Sequence, residues 1–298
     1  MVPEVRSRVG ECMFSHCRRT RAHVCPLNGV AASPFRRMVD DGRVGREQLR
    51  TTFDEVADLY DRARPGYPPE LFDDLVALAG LAPGARILEI GCGTGQATAP
   101  LVERGFELVC VELGAQLAEV ARRKLPAAQV VTAPFESWEP DGRFDAVVAF
   151  TALHWVDPDV RYAKPAQILG QGGALAVATT EHVFPEGGDP FFSEIQDVYE
   201  ELGESADAWP RPDDVAGLGP EIEASGLFGE VAVRRYVREI AYTADEYVDV
   251  LETYSGHRTM ARGARDRLYG EIRRRLAARP SGRVTKTYLT LLHVARRA

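Results

Sequence analysis

The chain predicts an α/β fold in which a mainly parallel sheet carries helices on both faces, and three stretches support that prediction. The first is Ile87–Gly95, I-L-E-I-G-C-G-T-G, an apolar strand that runs directly into glycines at positions 91, 93 and 95. The second is Leu108-Val109-Cys110-Val111, a short apolar strand that ends in Glu112, seventeen residues beyond Gly95. The third is Phe144–Phe150, F-D-A-V-V-A-F, nearly continuous in apolar character, as a parallel strand covered on both faces must be.

Taken in chain order, residues 1–41 show no apolar periodicity and read as a disordered leader, with Met38 as an alternative start. The leader's Cys12, His16, Cys17, His23 and Cys25 lack the paired spacing of a zinc knuckle, so no metal is expected there. Pro69–Ala79 predicts a helix, because Leu71, Phe72, Leu75, Leu78 and Ala79 recur at helical spacing and Gly80 stands where a C-terminal cap belongs. Residues 96–103 predict a helix directly after the glycine turn, and 114–124 a second crossover helix with Leu117, Val120 and Ala121 inward. Val130–Ala133, Phe144–Phe150 and Ala174–Thr179 are the third, fourth and fifth strands. Residues 181–220, rich in Gly, Pro, Asp and aromatics, read as a mobile segment with a helix near 191–202. Residues 231–240 and 286–295 read as a closing antiparallel pair. Between them, Thr243 and Glu246 make a capping box for a helix through Tyr254, and Leu268, Ile272 and Leu276 mark another helix at i, i+4 and i+8.

The glycine spacing narrows the ligand. A dinucleotide fingerprint G-x-G-x-x-G needs glycine at position 96, where this chain has Gln96. What stands here is E-x-G-x-G-x-G, formed by Glu89, Gly91, Gly93 and Gly95. A carboxylate at the end of the second strand, Glu112, is placed to accept from both ribose hydroxyls of a nucleoside. Together these residues resemble motif I of the class I S-adenosylmethionine-dependent methyltransferases. That resemblance implies a Rossmann-like fold with a seven-stranded mixed sheet, helices on both faces and helical substrate-lid insertions. It implies S-adenosylmethionine as cofactor, with Glu89 helping to hold the cofactor's ammonium group and Gln96, Leu113, Thr151 and Leu153 nearby. It also implies a domain over 42–298, with a cofactor core over 68–182 and lid segments over 183–225 and 241–282.

A second segment, Tyr60-Asp61-Arg62-Ala63-Arg64-Pro65-Gly66-Tyr67-Pro68, resembles the Y-x-x-x-R-P-x-Y-P segment of the small-molecule branch, including enzymes similar to trans-aconitate methyltransferase. The resemblance implies that it folds over the cofactor, with Arg64 pairing with the methionine carboxylate and Tyr60 packed above. Phe135 and Glu136, after the third strand, fall where the family surrounds the adenine. Phe135 stacks on the base or is core; Glu136 accepts from the exocyclic amine or is solvated. His154 ends the fourth strand near the expected methyl position. It is either a general base for a hydroxyl acceptor or, with Trp155 and Tyr254, a wall of the substrate pocket.

Composition limits the partners. Net charge is −8, and beyond Arg37 it reaches −13, with 29 basic against 42 acidic residues. Such a surface disfavours nucleic acid. No apolar run approaches a membrane span, and no secretory core opens the chain. Five cysteines on such a chain point to free thiols in a reducing cytoplasm. The expected activity is methyl transfer to a small metabolite, at a carboxylate or hydroxyl oxygen. The alternatives are an RNA or protein methyltransferase and a cofactor-binding regulator without activity. The oligomeric state is not legible. The arginines at 265, 267 and 273–275 either recruit an acidic substrate or form a solvated face.

Overall fold

The computed structural model describes residues 53–204 and 209–298. The leader, its alternative start and its zinc-type residues lie outside the described residues. Seven strands form one sheet in the order β3-β2-β1-β4-β5-β7-β6. They are β1 (Arg86–Ile90), β2 (Glu107–Glu112), β3 (Gln129–Thr132), β4 (Phe144–Phe150), β5 (Leu169–His182), β6 (Phe228–Thr243) and β7 (Arg283–Arg297). The first five pair in parallel, and β7 runs antiparallel to both β5 and β6. The order reverses between β1 and β4, which opens a crevice at the carboxyl ends of those strands, where doubly wound sheets bind ligands. The Rossmann-like, seven-stranded mixed sheet implied by the sequence is the fold observed.

The sheet is covered on both faces. One layer joins Leu71, Phe72 and Leu75 to Ile87, Leu108 and Val148, and the other joins Leu88 and Val109 to Val147, Leu169 and Leu175. Helix α1 (Ala57–Ala63) leads to α2 (Pro69–Ala79), which has proline in its first turn, buries Leu71, Phe72, Leu75 and Ala79, and ends on left-handed Gly80. After β1 comes α3 (Thr98–Glu103), which starts two residues later than the sequence predicts, because residues 93–97 are spent on the ligand turn. Helix α4 (Ala115–Lys124) buries Leu117, Ala118, Val120 and Ala121. Its orphan N–H groups at Gln116 and Leu117 are capped by Asp54 Oδ1 at 2.7 and 3.0 Å, an N-terminal partner sixty residues away that local patterns do not reveal.

The later elements are longer or more broken than the sequence suggests. Helix α5 (Ala163–Ile168) precedes β5, which runs to His182 rather than stopping at Thr179. Phe150, the last residue of β4, pairs with Ala178, so Thr179–His182 project beyond the carboxyl edge of the parallel strands. β6 and β7 extend with them, which is why they exceed the predicted 231–240 and 286–295. The single helix expected near 191–202 is two short ones, α6 (Phe191–Glu194) and α7 (Gln196–Glu201). Next come α8 (Gly219–Ala224), and α9 (Ala244–Leu251), which opens on the Thr243/Glu246 capping box and ends three residues before Tyr254. Helices α10 (Ser255–Thr259) and α11 (Arg262–Ala277) follow. Leu268, Ile272 and Leu276 of α11 are fully buried against Phe191, Phe192, Tyr247 and Tyr288, so the two insertions share one core. Each such aliphatic side chain contributes about 1.5–3 kcal/mol.

Candidate active site

The glycine turn closes tightly on its neighbours. Gly91 has φ 68°, and a Cβ there would stand 2.7 Å from the Ala152 Cβ at the end of β4. Gly93 has φ 56° but meets only the Tyr60 ring at 3.6 Å and Gln96, so its missing side chain leaves a cradle roofed by Tyr60. Glu112 holds this turn from below: Gly93 N donates to its Oε2 and Gly114 N to its Oε1, both at 2.8 Å. Burial raises the Glu112 pKa, and those backbone donors oppose the shift. Leu113 N also donates to it, and a carboxylate has about four acceptor positions, so about one remains for a ligand hydroxyl. Glu89 is 1 % exposed and accepts from Thr98 Oγ1 at 2.7 Å. Burial pushes its pKa up to about 7, against the lowering effect of that hydroxyl. Two polar atoms of the turn, Thr94 Oγ1 and Gln96 Nε2, are buried without a hydrogen-bond partner.

Aromatic side chains and one guanidinium form the roof. The Arg64 guanidinium lies 5.1 Å from the Tyr60 ring centre and 4.4 Å from that of Tyr254, and donates to Thr253 O at 2.8 Å. Its Nε is buried and unpartnered. Phe53 packs edge-on against Tyr60 and Trp155, with centres 6.0 and 5.5 Å apart, and thereby ties the end of β4 to the roof. His154 lies in the short turn Leu153–Trp155 after β4 rather than at the strand end expected from sequence; its ring is tilted 42° to that of Trp155 at 4.9 Å, and its carbonyl accepts from Arg161. Thr151 is held at φ 52°, a left-handed conformation that strains a β-branched residue, while its Oγ1 and the Tyr67 hydroxyl share a 3.0 Å hydrogen bond. Tyr67 belongs to the recognised segment but had no predicted role; its bond to Thr151 explains part of the segment's composition.

Other predicted residues fall elsewhere. Phe135 is 3 % exposed within the second core layer, with the Lys164 ammonium 5.3 Å over its ring, so it offers no free face for stacking. Of the two readings of Phe135, the core one describes its position. Glu136 Oε1 accepts from Asp157 N at 3.2 Å, a contact that anchors the loop after Trp155. Leu153 is 2 % exposed and is core as well, and Leu113 is half-buried beside Glu112. Arginines 267 and 273–275 are engaged by carboxylates on their own surface: Arg267 by Glu201, Arg273 by Asp245, Arg274 by Glu271, and Arg275 by Asp197 and Glu271. Arg265 pairs with Glu252. They form a neutralised face rather than a recruiting one.

Beyond Tyr254 lies a feature the sequence reading missed. Lys286, on β7, is 1 % exposed and fully enclosed by rings from both insertions and β7. Its ammonium lies 4.6 Å from the centre of the Trp209 indole and 5.2 Å from that of Tyr254. His182, paired with Tyr288 in the β5–β7 ladder, lies against the same Tyr254 at 5.0 Å. Burial, reinforced by the Lys286 and Arg64 charges, holds the His182 pKa well below the usual histidine range. One signal was available: Lys286 shares an alternation with Val284 and Tyr288 on an otherwise apolar strand.

A family model described as a methyltransferase domain matches residues 88–177. Over 133 residues the chain is 35 % identical to an uncharacterized methyltransferase of Mycobacterium tuberculosis, covering 44 % of this chain and 53 % of that one. The chain therefore spans about half the length of the first curated relatives it matches. It is 30 % identical over 152 residues to an uncharacterized methyltransferase of Geobacillus kaustophilus, covering 46 % of this chain and 68 % of the relative. A solved structure of a proposed type II methyltransferase from Anaeromyxobacter dehalogenans aligns with a TM-score of 0.54 at 24 % identity, covering 78 % of this chain and 97 % of that one, and shares the fold.

Proposed function

Because the chain belongs to the class I S-adenosylmethionine-dependent methyltransferases, we propose that it transfers a methyl group to an oxygen of a small metabolite. The observation that supports this most is a continuous line of contacts from the cofactor turn into the aromatic core of the insertions: Gly93, Tyr60, Arg64, Tyr254, Lys286. The orphaned Gln96 and Thr94 atoms, the spare Glu112 acceptor position and the Gly93 cradle suit a nucleoside with an amino-acid tail. In this reading Glu112 accepts from a ribose hydroxyl, Glu89 offsets the ammonium charge, and Arg64 takes the carboxylate of the tail. S-adenosylmethionine, when bound, supplies a methyl group on a positively charged sulfur.

The protein's own contribution is alignment and exclusion of water. Tyr60, Phe53 and Trp155 close one side of the crevice, and the insertion core with Tyr254 closes the other. A carboxylate acceptor is already ionised at neutral pH and needs no base, so His154 serves here as a wall beside Trp155. The acidic surface argues against RNA. Among the described residues no helix is long and apolar enough to cross a membrane, and we place the activity in the cytoplasm. Calorimetry with S-adenosylhomocysteine and NAD tests the cofactor assignment. Binding of the first and not the second is expected, and the reverse would overturn it. Methyl-labelled S-adenosylmethionine added to metabolite extract, total RNA and total protein tests the substrate class, with label expected in the small-molecule fraction.

A further inference from the structure

Most partly buried arginines of this protein have an acidic partner. Arg258 is paired with Glu55 and Glu252, Arg265 with Glu252, and Arg275 with Asp197 and Glu271. Lys286 differs. Among the described residues no carboxylate pairs with its ammonium and no acceptor takes a hydrogen bond from it, although it is nearly fully buried. Its surroundings are rings: Trp209 at 4.6 Å, Tyr254 at 5.2 Å, Tyr247 at 5.4 Å, Tyr288 at 5.5 Å and Phe192 at 5.8 Å. Ring faces attract a cation, but they do not replace the hydrogen bonds that water gives three N–H donors. Its nearest charged neighbour repels it, because Arg64 lies against the same Tyr254 ring at 4.4 Å. Burying an ion without a counter-ion costs several kcal/mol, and this burial, with the Arg64 charge, holds the Lys286 pKa well below the usual lysine range until an anion arrives. The natural complement of such a site is an anion that arrives with the ligand.

We propose that Lys286 is the anchor for an acid group of the acceptor, and that the acceptor is an organic acid with a flat aromatic or unsaturated body whose accepting oxygen stands at the end away from that anchor. The division of labour follows from Tyr254. Arg64 contacts Tyr60, which roofs the cofactor turn, and Lys286 contacts Trp209; both meet Tyr254. Tyr254 and His182 are partly exposed while Lys286 is not, so the ammonium sits behind them, on the inner side of the rings. Apolar ring walls favour a flat body, and with Arg64 given to the cofactor tail the single Lys286 amine matches one carboxylate. His182 and His257 are both held neutral by burial and by the Lys286 charge, so they add no second positive site for a polyacid. The inference rests on the methyl-transfer reading above but concerns different residues.

The test uses the full chain with S-adenosylhomocysteine present, and measures binding of phenylacetate, phenylacetamide and citrate by calorimetry. Phenylacetate is expected to bind, with phenylacetamide and citrate at least tenfold weaker. Lys286→Met should lower phenylacetate affinity tenfold or more while leaving S-adenosylhomocysteine affinity unchanged. It should also keep or raise the melting temperature, because it removes a buried, unpartnered amine. Lys286→Gln should lose phenylacetate affinity in the same way. Equal binding of acid and amide, citrate binding that is tighter and Lys286-dependent, no acid binding at all, or unfolding of both variants would each overturn the proposal. Loss of S-adenosylhomocysteine binding by the wild-type chain would instead overturn the cofactor reading, and is measured separately.

Discussion

Replacing Glu112 by alanine removes two functions at once, and the geometry sets the size of each. Gly93 N and Gly114 N both donate to this carboxylate at 2.8 Å, one from the ligand turn and one from the entry to α4. A hydrogen bond to a charged group is worth about 1.5–3 kcal/mol, and part of that is returned because both donors become accessible to water and a buried charge is removed. A net loss of roughly 2–4 kcal/mol is expected, which for a chain of this size lowers the melting temperature by roughly 5–12 °C. Cofactor affinity should fall at least tenfold, about 1.4 kcal/mol, through the lost ribose acceptor and the loosened Gly93 turn. Glu112→Gln separates the two effects. It preserves shape but turns an NH2 group toward one of the donors, so it should cost nearly as much stability. Urea unfolding and calorimetry with S-adenosylhomocysteine measure both. An alanine variant as stable as wild type would refute the structural role, and an unchanged dissociation constant would refute the binding role.

Two further outcomes follow from buried groups. The Glu89 pKa in the folded state, about 7, lies above its unfolded value, so the folded state keeps a proton that the unfolded chain has lost between about pH 4.5 and 7. Stability therefore falls as pH rises through that window, by on the order of 3 kcal/mol in total, and stays low above it. Glu89→Gln should flatten this part of the urea-midpoint profile relative to wild type; an unchanged slope would mean that Glu89 is ionised throughout. Thr151 stores strain at φ 52° but spends its hydroxyl on Tyr67. Thr151→Val keeps the strain and loses the bond, at a cost of about 1–2 kcal/mol. Thr151→Gly trades relieved strain against lost bonding and greater chain entropy and should be close to neutral. Thermal unfolding distinguishes them, and equal losses would show that the backbone conformation carries no strain.

The parts of this site that could be read in the sequence are those written in consecutive residues. Gly91, Gly93, Gly95, Glu89 and Glu112 act through a local turn and two strand ends, so their spacing alone discloses them. The Thr243/Glu246 box is equally local. Phe135 was ambiguous for the opposite reason: an aromatic after a strand can face a ligand or a core, and only the packing of Lys164 over its ring distinguishes the two. For Lys286 the alternation with Val284 and Tyr288 pointed to an inward side chain, but its environment is assembled from distant segments and was not legible. Trp209, Tyr254 and Tyr288 meet around it only after β7 has inserted between β5 and β6. The helix start at Thr98, rather than Gln96, is a boundary error of the usual kind, since a ligand turn and a first helical turn have the same composition.

The overhang of β5 and β7 beyond the parallel strands makes β7 a graduated scale. Val284, Lys286 and Tyr288 alternate onto one buried side, each step of two residues advancing about 6.8 Å along the strand. None of them touches the glycine turn, and the register against β5 is fixed by a ladder of nine pairs from Ala174 to His182. Exchanging lysine and tyrosine between 286 and 288 would thus slide the positive charge by one graduation while the methyl-donating end stays fixed. On the proposed acceptor reading, acceptor length becomes a variable that a single strand sets in discrete steps, a coordinate independent of the cofactor turn.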